Sequence, residues 1–307
     1  MPEYPDIEVY CRAIAERVVG GTLVDVRLPQ PFFLRTAVPP VTDAIGKTIT
    51  GVHRLGKRVV LDVDGGLHLV VHLMIAGRFK ELPQKKGVFA EPPKRGTQAV
   101  FDIEDGPQGS TSILVTEAGA KRRASLHVVD DEGEQALDPG GVEVFELDAK
   151  AFADVFRERN HTLKRALTDP RILSGIGNAY SDEILHRARL SPVTWTTRLD
   201  DDECARLLEA IHSVLREWTD RLDDERQGAF PKKVTAFREE MAVHGKHRQP
   251  CPVCDAEVQR IVHGKHETNY CAACQTKGKL LADRALSKLL KKDWPRSLEE
   301  LEALRNR

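Results

Sequence analysis

The sequence predicts an α+β protein: an N-terminal helix with a β-sandwich, then a helical domain that closes on a small four-cysteine module. Three observations carry this. Residues 2–18 place Ile7, Val9, Tyr10, Ile14 and Val18 on one helical face. Between 22 and 128 the pattern changes to short β-rich runs such as Val59–Val63, Leu67–Leu73 and Ile113–Val115, separated by turns such as Asp64-Gly65-Gly66. Near the C-terminus, Cys251-x2-Cys254 is followed after sixteen residues by Cys271-x2-Cys274, the spacing of a ribbon in which four thiolates surround one Zn²⁺.

Each element follows from local composition. A chain of 307 residues with 41% hydrophobic content is long enough for two cores. We expect an N-terminal domain, a β-sandwich or barrel, at 2–130, a linker at 131–148, a helical domain at 149–243, a zinc finger at 244–276 and a basic helical extension at 277–307. Residues 80–110, with four prolines and several glycines, read as an inserted loop. The linker is acidic: Asp130, Asp131, Glu132, Glu134, Asp138, Glu143, Glu146 and Asp148 surround Asp138-Pro139-Gly140-Gly141. Helical patterns then run over 149–158, 161–168, 178–188, 200–222 and 232–243. Cys11 and Cys204 lie in apolar-periodic stretches and read as core residues.

The formal net charge is −1, yet the charge is uneven. Residues 243–292 hold ten Lys/Arg against four Asp/Glu, and a local basic face binds phosphates on a neutral protein. For 277–292 the same pattern also fits a solvated amphipathic helix. The four cysteines also admit a reading as two disulfides or free thiols. With no secretory signal and no apolar run of membrane-spanning length, we expect a cytoplasmic protein with reduced thiols and one structural zinc.

Two motifs carry chemistry. Gly175-Ile176-Gly177-Asn178-Ala179-Tyr180 sets glycines between two helices, where Asn178 can cap the second and exposed amides suit a phosphate; alone, the signal is weak. At the N-terminus, Met1 precedes Pro2-Glu3-Tyr4-Pro5-Asp6-Ile7-Glu8. Removal of Met1 leaves a proline amine. An α-amine is roughly 10% neutral at pH 7, whereas a lysine is below about 0.1% neutral. A secondary amine that attacks an aldehyde-level carbon gives a charged iminium, which accepts electrons during elimination, and Glu3 is placed to move protons. Acidic residues in the first turn of a helix are also ordinary.

Taken together, these motifs resemble the formamidopyrimidine-DNA glycosylase / endonuclease VIII family of base-excision-repair enzymes. The opening octapeptide, the Gly175–Tyr180 core of a helix–two-turn–helix, Leu55-Gly56-Lys57-Arg58, His72-Leu73 with Gly77, and the finger ending in Cys274-Gln275 all match in order. The resemblance implies a bifunctional glycosylase and lyase acting on damaged DNA as a monomer, on the bacterial nucleoid. Pro2 would be the nucleophile on sugar C1′, Glu3 the acid/base, and Lys57 a phosphate and proton-transfer group. Glu8 would shape the pocket, His72 would bind DNA, Lys164 and Asn178 would grip phosphates, and the zinc hairpin would add a cation.

Three positions depart from the pattern. Ile75 stands where a void-filling Met is usual, beside Met74. Arg122-Arg123-Ala124-Ser125 lacks the usual aromatic wedge. In the finger, His266 replaces an expected arginine, with Lys265 adjacent. The implied consequence is a preference for single-stranded, bubble or abasic substrates, in which unstacking costs less. A specialised AP-site lyase and a lesion-sensing DNA-binding protein are the alternatives.

Overall fold

Alternating apolar residues build eight antiparallel strands in the first half of the chain: β1 (Thr22–Arg27), β2 (Lys47–Leu55), β3 (Arg58–Val63), β4 (Leu67–His72), β5 (Gly77–Pro83), β6 (Thr97–Glu104), β7 (Thr111–Glu117) and β8 (Ser125–Val129). Their order is β5-β7-β6-β1-β2-β3-β4-β8. The β1–β2 seam is short, with Thr22 opposite Thr48 and Leu23 opposite Lys47, so two four-stranded leaves meet there as a sandwich. The computed structural model describes residues 1–307 other than 85, 86, 120, 233, 236, 265, 292, 293, 306 and 307.

Helix α1 (Tyr4–Val18) lays Ile7, Tyr10, Ile14 and Val18 into the sandwich core. There they join Phe79, Phe101, Ile113, Val59, Leu61 and Val71. The helix begins two residues later than its apolar pattern predicts. Glu3 is its N-cap, and a capping box links Glu3 with Asp6; Glu3 N–H donates to Asp6 Oδ2 at 3.0 Å.

Two expectations are corrected. The stretch at 80–110 is not all loop: the end of β5 and all of β6 lie in it, and every β6 residue but Glu104 is buried. Its prolines flank the strands instead of interrupting β6. The acidic stretch begins as a helix, α2 (Asp131–Leu137), capped by Asp130, whose side chain accepts from Gly133 N. No α2 residue is fully buried; Leu137 packs partly on Val60, Val70 and Val129.

The chain divides into two compact units. The first comprises Met1–Gly140 with Glu217–Thr235, the second Gly141–Arg216 with Ala236–Arg307. The remaining helices are α3 (Ala149–Arg157), α4 (Leu163–Thr168), α5 (Asn178–Arg187) and α6 (Asp201–Arg226). The finger follows as β9 (Val258–His263), β10 (His266–Cys271) and α7 (Ala272–Thr276), and the chain ends with α8 (Arg284–Leu290) and α9 (Leu298–Arg305). Cys11 and Cys204 are buried. The helix expected over 232–243 is absent among its described residues; at the end of that stretch the amides of 242–244 donate to the Glu183 carboxylate. Among the described residues no helix is long and apolar enough to cross a membrane.

Candidate active site and nucleic-acid interface

In the first unit the sequence-derived residues converge on the start of α1. Pro2 and Glu3 are buried. The α-amine of Met1 is held below its ordinary value, chiefly by burial, and the charges acting on it are Glu3, Arg78, Asp6 and Lys57. Lys57 sits in the two-residue turn between β2 and β3, where Gly56 takes a φ of +61°. Burial pushes the Lys57 ammonium down and the Glu3 carboxylate opposes that shift. The chain start, an acid and a lysine of reduced basicity therefore share one partly dry site.

Glu8 is paired. Arg54 Nε donates to Glu8 Oε1 at 2.7 Å, Arg54 Nη1 donates to Gly56 O at 3.0 Å, and the guanidinium lies 4.1 Å from the Tyr4 ring centre. This fixes Glu8 and braces the turn that presents Lys57.

His72 ends β4 opposite Arg58. Burial, followed by Arg58, Lys57 and His127, lowers its pKa to about 4. Its Nδ1 accepts from Met74 N–H at 3.0 Å, so the neutral ring carries its proton on Nε2 and presents a donor there. In the turn that follows, Met74 takes a φ of +51°, and Ile75 is 66% exposed at the tip. Arg78 Nη1 donates to the carbonyls of Ile75 (3.1 Å) and Gly77 (2.6 Å). Of the two void-filling candidates, the backbone projects Ile75.

Arg122 and Arg123 are exposed, whereas Ala124 is 3% exposed. The Glu117 carboxylate accepts from the amides of Arg123 and Ala124 at 2.9–3.1 Å, so the loop is held with its third position turned inward. Sequence reasoning missed Phe32, which is 84% exposed. Leu34 bridges Leu126 and Arg35 N donates to Leu126 O at 2.8 Å, which sets 32–35 beside the start of β8. The signal was the Phe32-Phe33 pair, of which only Phe33 enters the core.

In the second unit, the ammonium of Lys164 on α4 donates to Asn178 O at 2.7 Å and to the Asp182 carboxylate. Gly175 turns the chain with a φ of +81°. Asn178 does not cap α5; Gly177 holds that position. Asn178 Nδ2 instead donates to Glu267 O of the finger hairpin at 2.9 Å. Asp182, fully buried, also lies 2.8 Å from His244 Nδ1 and accepts from Asn269 N at 3.2 Å. Glu183 accepts from three backbone amides of 242–244, and burial raises its pKa despite them. These carboxylates were also missed; an Asp-Glu pair inside the otherwise uncharged Ala179–Leu185 stretch was the available signal.

The finger is β9 paired with β10, His266 opposite His263. Lys265 lies outside the described residues, as does the side chain of His266. The sulfurs of Cys251, Cys254, Cys271 and Cys274 lie within 4.8 Å of one another, with separations of 3.4 Å for Cys254–Cys271 and Cys254–Cys274 and 3.9 Å for Cys251–Cys274. A tetrahedral site with Zn–S bonds of about 2.3 Å needs S···S edges of about 3.8 Å. The donor set fits one structural zinc, and the sulfur separations of 3.4–3.9 Å are far from the S–S bond of about 2.05 Å that the disulfide alternative needs. Gln275 Oε1 accepts from Cys271 N and Gln275 Nε2 donates to Leu190 O, which ties the finger to the segment after α5.

Comparison with known proteins agrees with this geometry. Residues 1–112 match the formamidopyrimidine-DNA glycosylase N-terminal domain, 138–223 its H2TH domain, and 248–277 the zinc finger found in FPG and IleRS. A formamidopyrimidine-DNA glycosylase of Heliobacterium modesticaldum is 34% identical over 90% of this chain and 100% of its own length. The chain belongs to the formamidopyrimidine-DNA glycosylase family. A Roseiflexus relative of the same name is 30% identical over the same shares. The fold also matches a Lactococcus lactis FPG mutant in complex with Fapy-dG-containing DNA, with a TM-score of 0.75, 23% identity, and 90% of this chain and 100% of that one covered.

Proposed function

We propose that this formamidopyrimidine-DNA glycosylase family member excises oxidised bases through the Pro2 amine and then cleaves the strand at the resulting abasic site. The observation that carries the reading is that buried Pro2 and Glu3 share one site with half-buried Lys57, whose ammonium is pushed down by burial, a shift that Glu3 opposes. After removal of Met1, the Pro2 nitrogen attacks C1′. The N-glycosidic bond breaks with its electron pair leaving on the base, and Glu3 protonates the ring oxygen as the sugar opens. The iminium so formed acidifies C2′. Loss of that proton expels the 3′-phosphate, a second elimination expels the 5′-phosphate, and water releases Pro2. In this reading His72 Nε2–H, Arg122, Lys164 and Asn178 bind phosphates of the DNA, Ile75 enters the void left by the extruded base, and the zinc hairpin, with Lys265 and His266, adds backbone contacts.

Borohydride trapping tests the chemistry. Labelled AP-site, 8-oxoguanine, formamidopyrimidine, thymine glycol and hydantoin oligonucleotides, single- and double-stranded, are expected to give covalent adducts that disappear in Pro2→Gly. Tight binding without any adduct would leave a lesion-sensing DNA-binding protein instead.

The buried Ala124 supports a second, narrower reading, in which substrates that need little unstacking are preferred. Without a wedge at that position, a cost of a few kcal/mol in duplex DNA goes uncompensated. Single-stranded and abasic substrates are expected to react faster than duplex 8-oxoguanine, and equal single-turnover rates would remove this reading. Phe32, exposed beside Arg35, offers a stacking face for a loose base. Phe32→Ala is expected to weaken single-strand binding by about 1–3 kcal/mol, measured by fluorescence anisotropy.

A further inference from the structure

A second group of chemically capable side chains lies on the sheet itself, where no step proposed above uses it. His53 on β2, Asp62 on β3 and His68 on β4 meet Glu134 and Asp131 of α2. Asp62 is 3.0 Å from His53 Nδ1 and 2.7 Å from His68 Nδ1. Glu134 is 2.7 Å from His53 Nε2 and 3.6 Å from His68 Nδ1. Asp131 Oδ1 is 2.8 Å from His68 Nε2.

The backbone is shaped around this cluster. Asp62 stands in register with His68 on one side and Gly51 on the other. A Cβ on Gly51 would come within 2.7 Å of Asp62 Oδ2, so the missing side chain is what lets the carboxylate lie between the two imidazoles. Helix α2 has almost no apolar anchorage, and it reaches the sheet through these polar groups.

We propose that His53, Asp62 and Glu134 form a binding site for a divalent first-row transition metal, a second metal site besides the finger, with His68 orienting Asp62 from the other side. Imidazole nitrogens with carboxylate oxygens suit Zn²⁺ and its neighbours, whereas Ca²⁺ and Mg²⁺ take all-oxygen shells. Donor atoms of His53, Asp62 and Glu134 lie within 4.8 Å of one another. Ligands around a tetrahedral Zn²⁺ at about 2.1 Å stand about 3.4 Å apart. Asp62 Oδ2 is 3.0 Å from His53 Nδ1 and Glu134 Oε1 is 2.7 Å from His53 Nε2, a little inside that edge, so one ring nitrogen serves as ligand and the oxygens part slightly around the ion. Three carboxylates facing two imidazoles keep the cluster anionic in every protonation state of the rings, which attracts a cation. Bound there, the metal joins β2, β3 and α2.

The experiment is a Zn²⁺ titration of the full-length protein, with the finger already holding its one equivalent, followed by calorimetry and elemental analysis. The expected result is a second saturable equivalent and a rise in melting temperature with added Zn²⁺. His53→Ala and Glu134→Gln are expected to lose that equivalent while keeping the finger zinc and DNA binding. Glu134→Gln lies on a helix with no fully buried residue, so it tests the site without disturbing the core. Uptake of the finger equivalent alone, or an undiminished second equivalent in both variants, would overturn the proposal.

Discussion

At the scale of single residues, protonation and pairing decide what each side chain offers to a phosphate. His72 has a folded-state pKa of about 4, below the usual 6.5, so the unfolded chain binds more protons in between. Its contribution to stability is therefore intact above about 6.5 and lost as pH falls toward 4. Melting temperature is expected to drop with acid through that window, by less in His72→Gln, with about 3 kcal/mol as an upper bound on the linkage. Salt dependence separates the cations. Arg122 is exposed, so Arg122→Ala is expected to lower the slope of log K against log salt by about 0.9. Lys164 is already neutralised by Asp182; Lys164→Ala is expected to weaken binding with a clearly smaller change in slope. Binding isotherms across a salt series measure both.

At the scale of elements, α5 does more than its sequence pattern suggested. Its apolar residues, with Gly175 and Gly177 before it, made a helix following a turn legible. The use of Asn178 was not, because the choice between capping the helix and reaching Glu267 depends on a hairpin about ninety residues away. Asp182 and Glu183 were likewise hidden: periodicity marks apolar faces, and a buried carboxylate is visible only once its donors are placed. Asp182→Ala removes the carboxylate shared by Lys164, His244 and Asn269, and is expected to cost about 3–5 kcal/mol of stability in chemical denaturation. The β6 strand was missed for a different reason. Prolines and glycines crowded the window around it, although Thr97–Ile103 reads as strand by itself.

At the scale of the molecule, local motifs were the legible part. The four cysteines, the opening octapeptide and the Lys57 turn are short and strict in spacing, so each is readable from a single sequence. The grouping of Glu217–Thr235 with the N-terminal unit was not legible, since it follows from long-range packing. Chelation of the zinc is expected to unfold the finger hairpin and remove the partners of Asn178 and Gln275. DNA affinity should fall at least about 100-fold and return when Zn²⁺ is added, as read by anisotropy.

The first unit contains Glu217–Thr235 as well as the N-terminal sandwich. Phe230 enters the sandwich core, Gly228 O accepts from Arg17, and Arg226 pairs with Glu16. During synthesis, the half of the protein that leaves the ribosome first must wait, with Tyr10 and Arg17 uncovered, until some ninety residues past Gly140 have been made. A gene fragment ending at Gly140 would therefore encode an incomplete body, and the two units are not separable as consecutive stretches of chain.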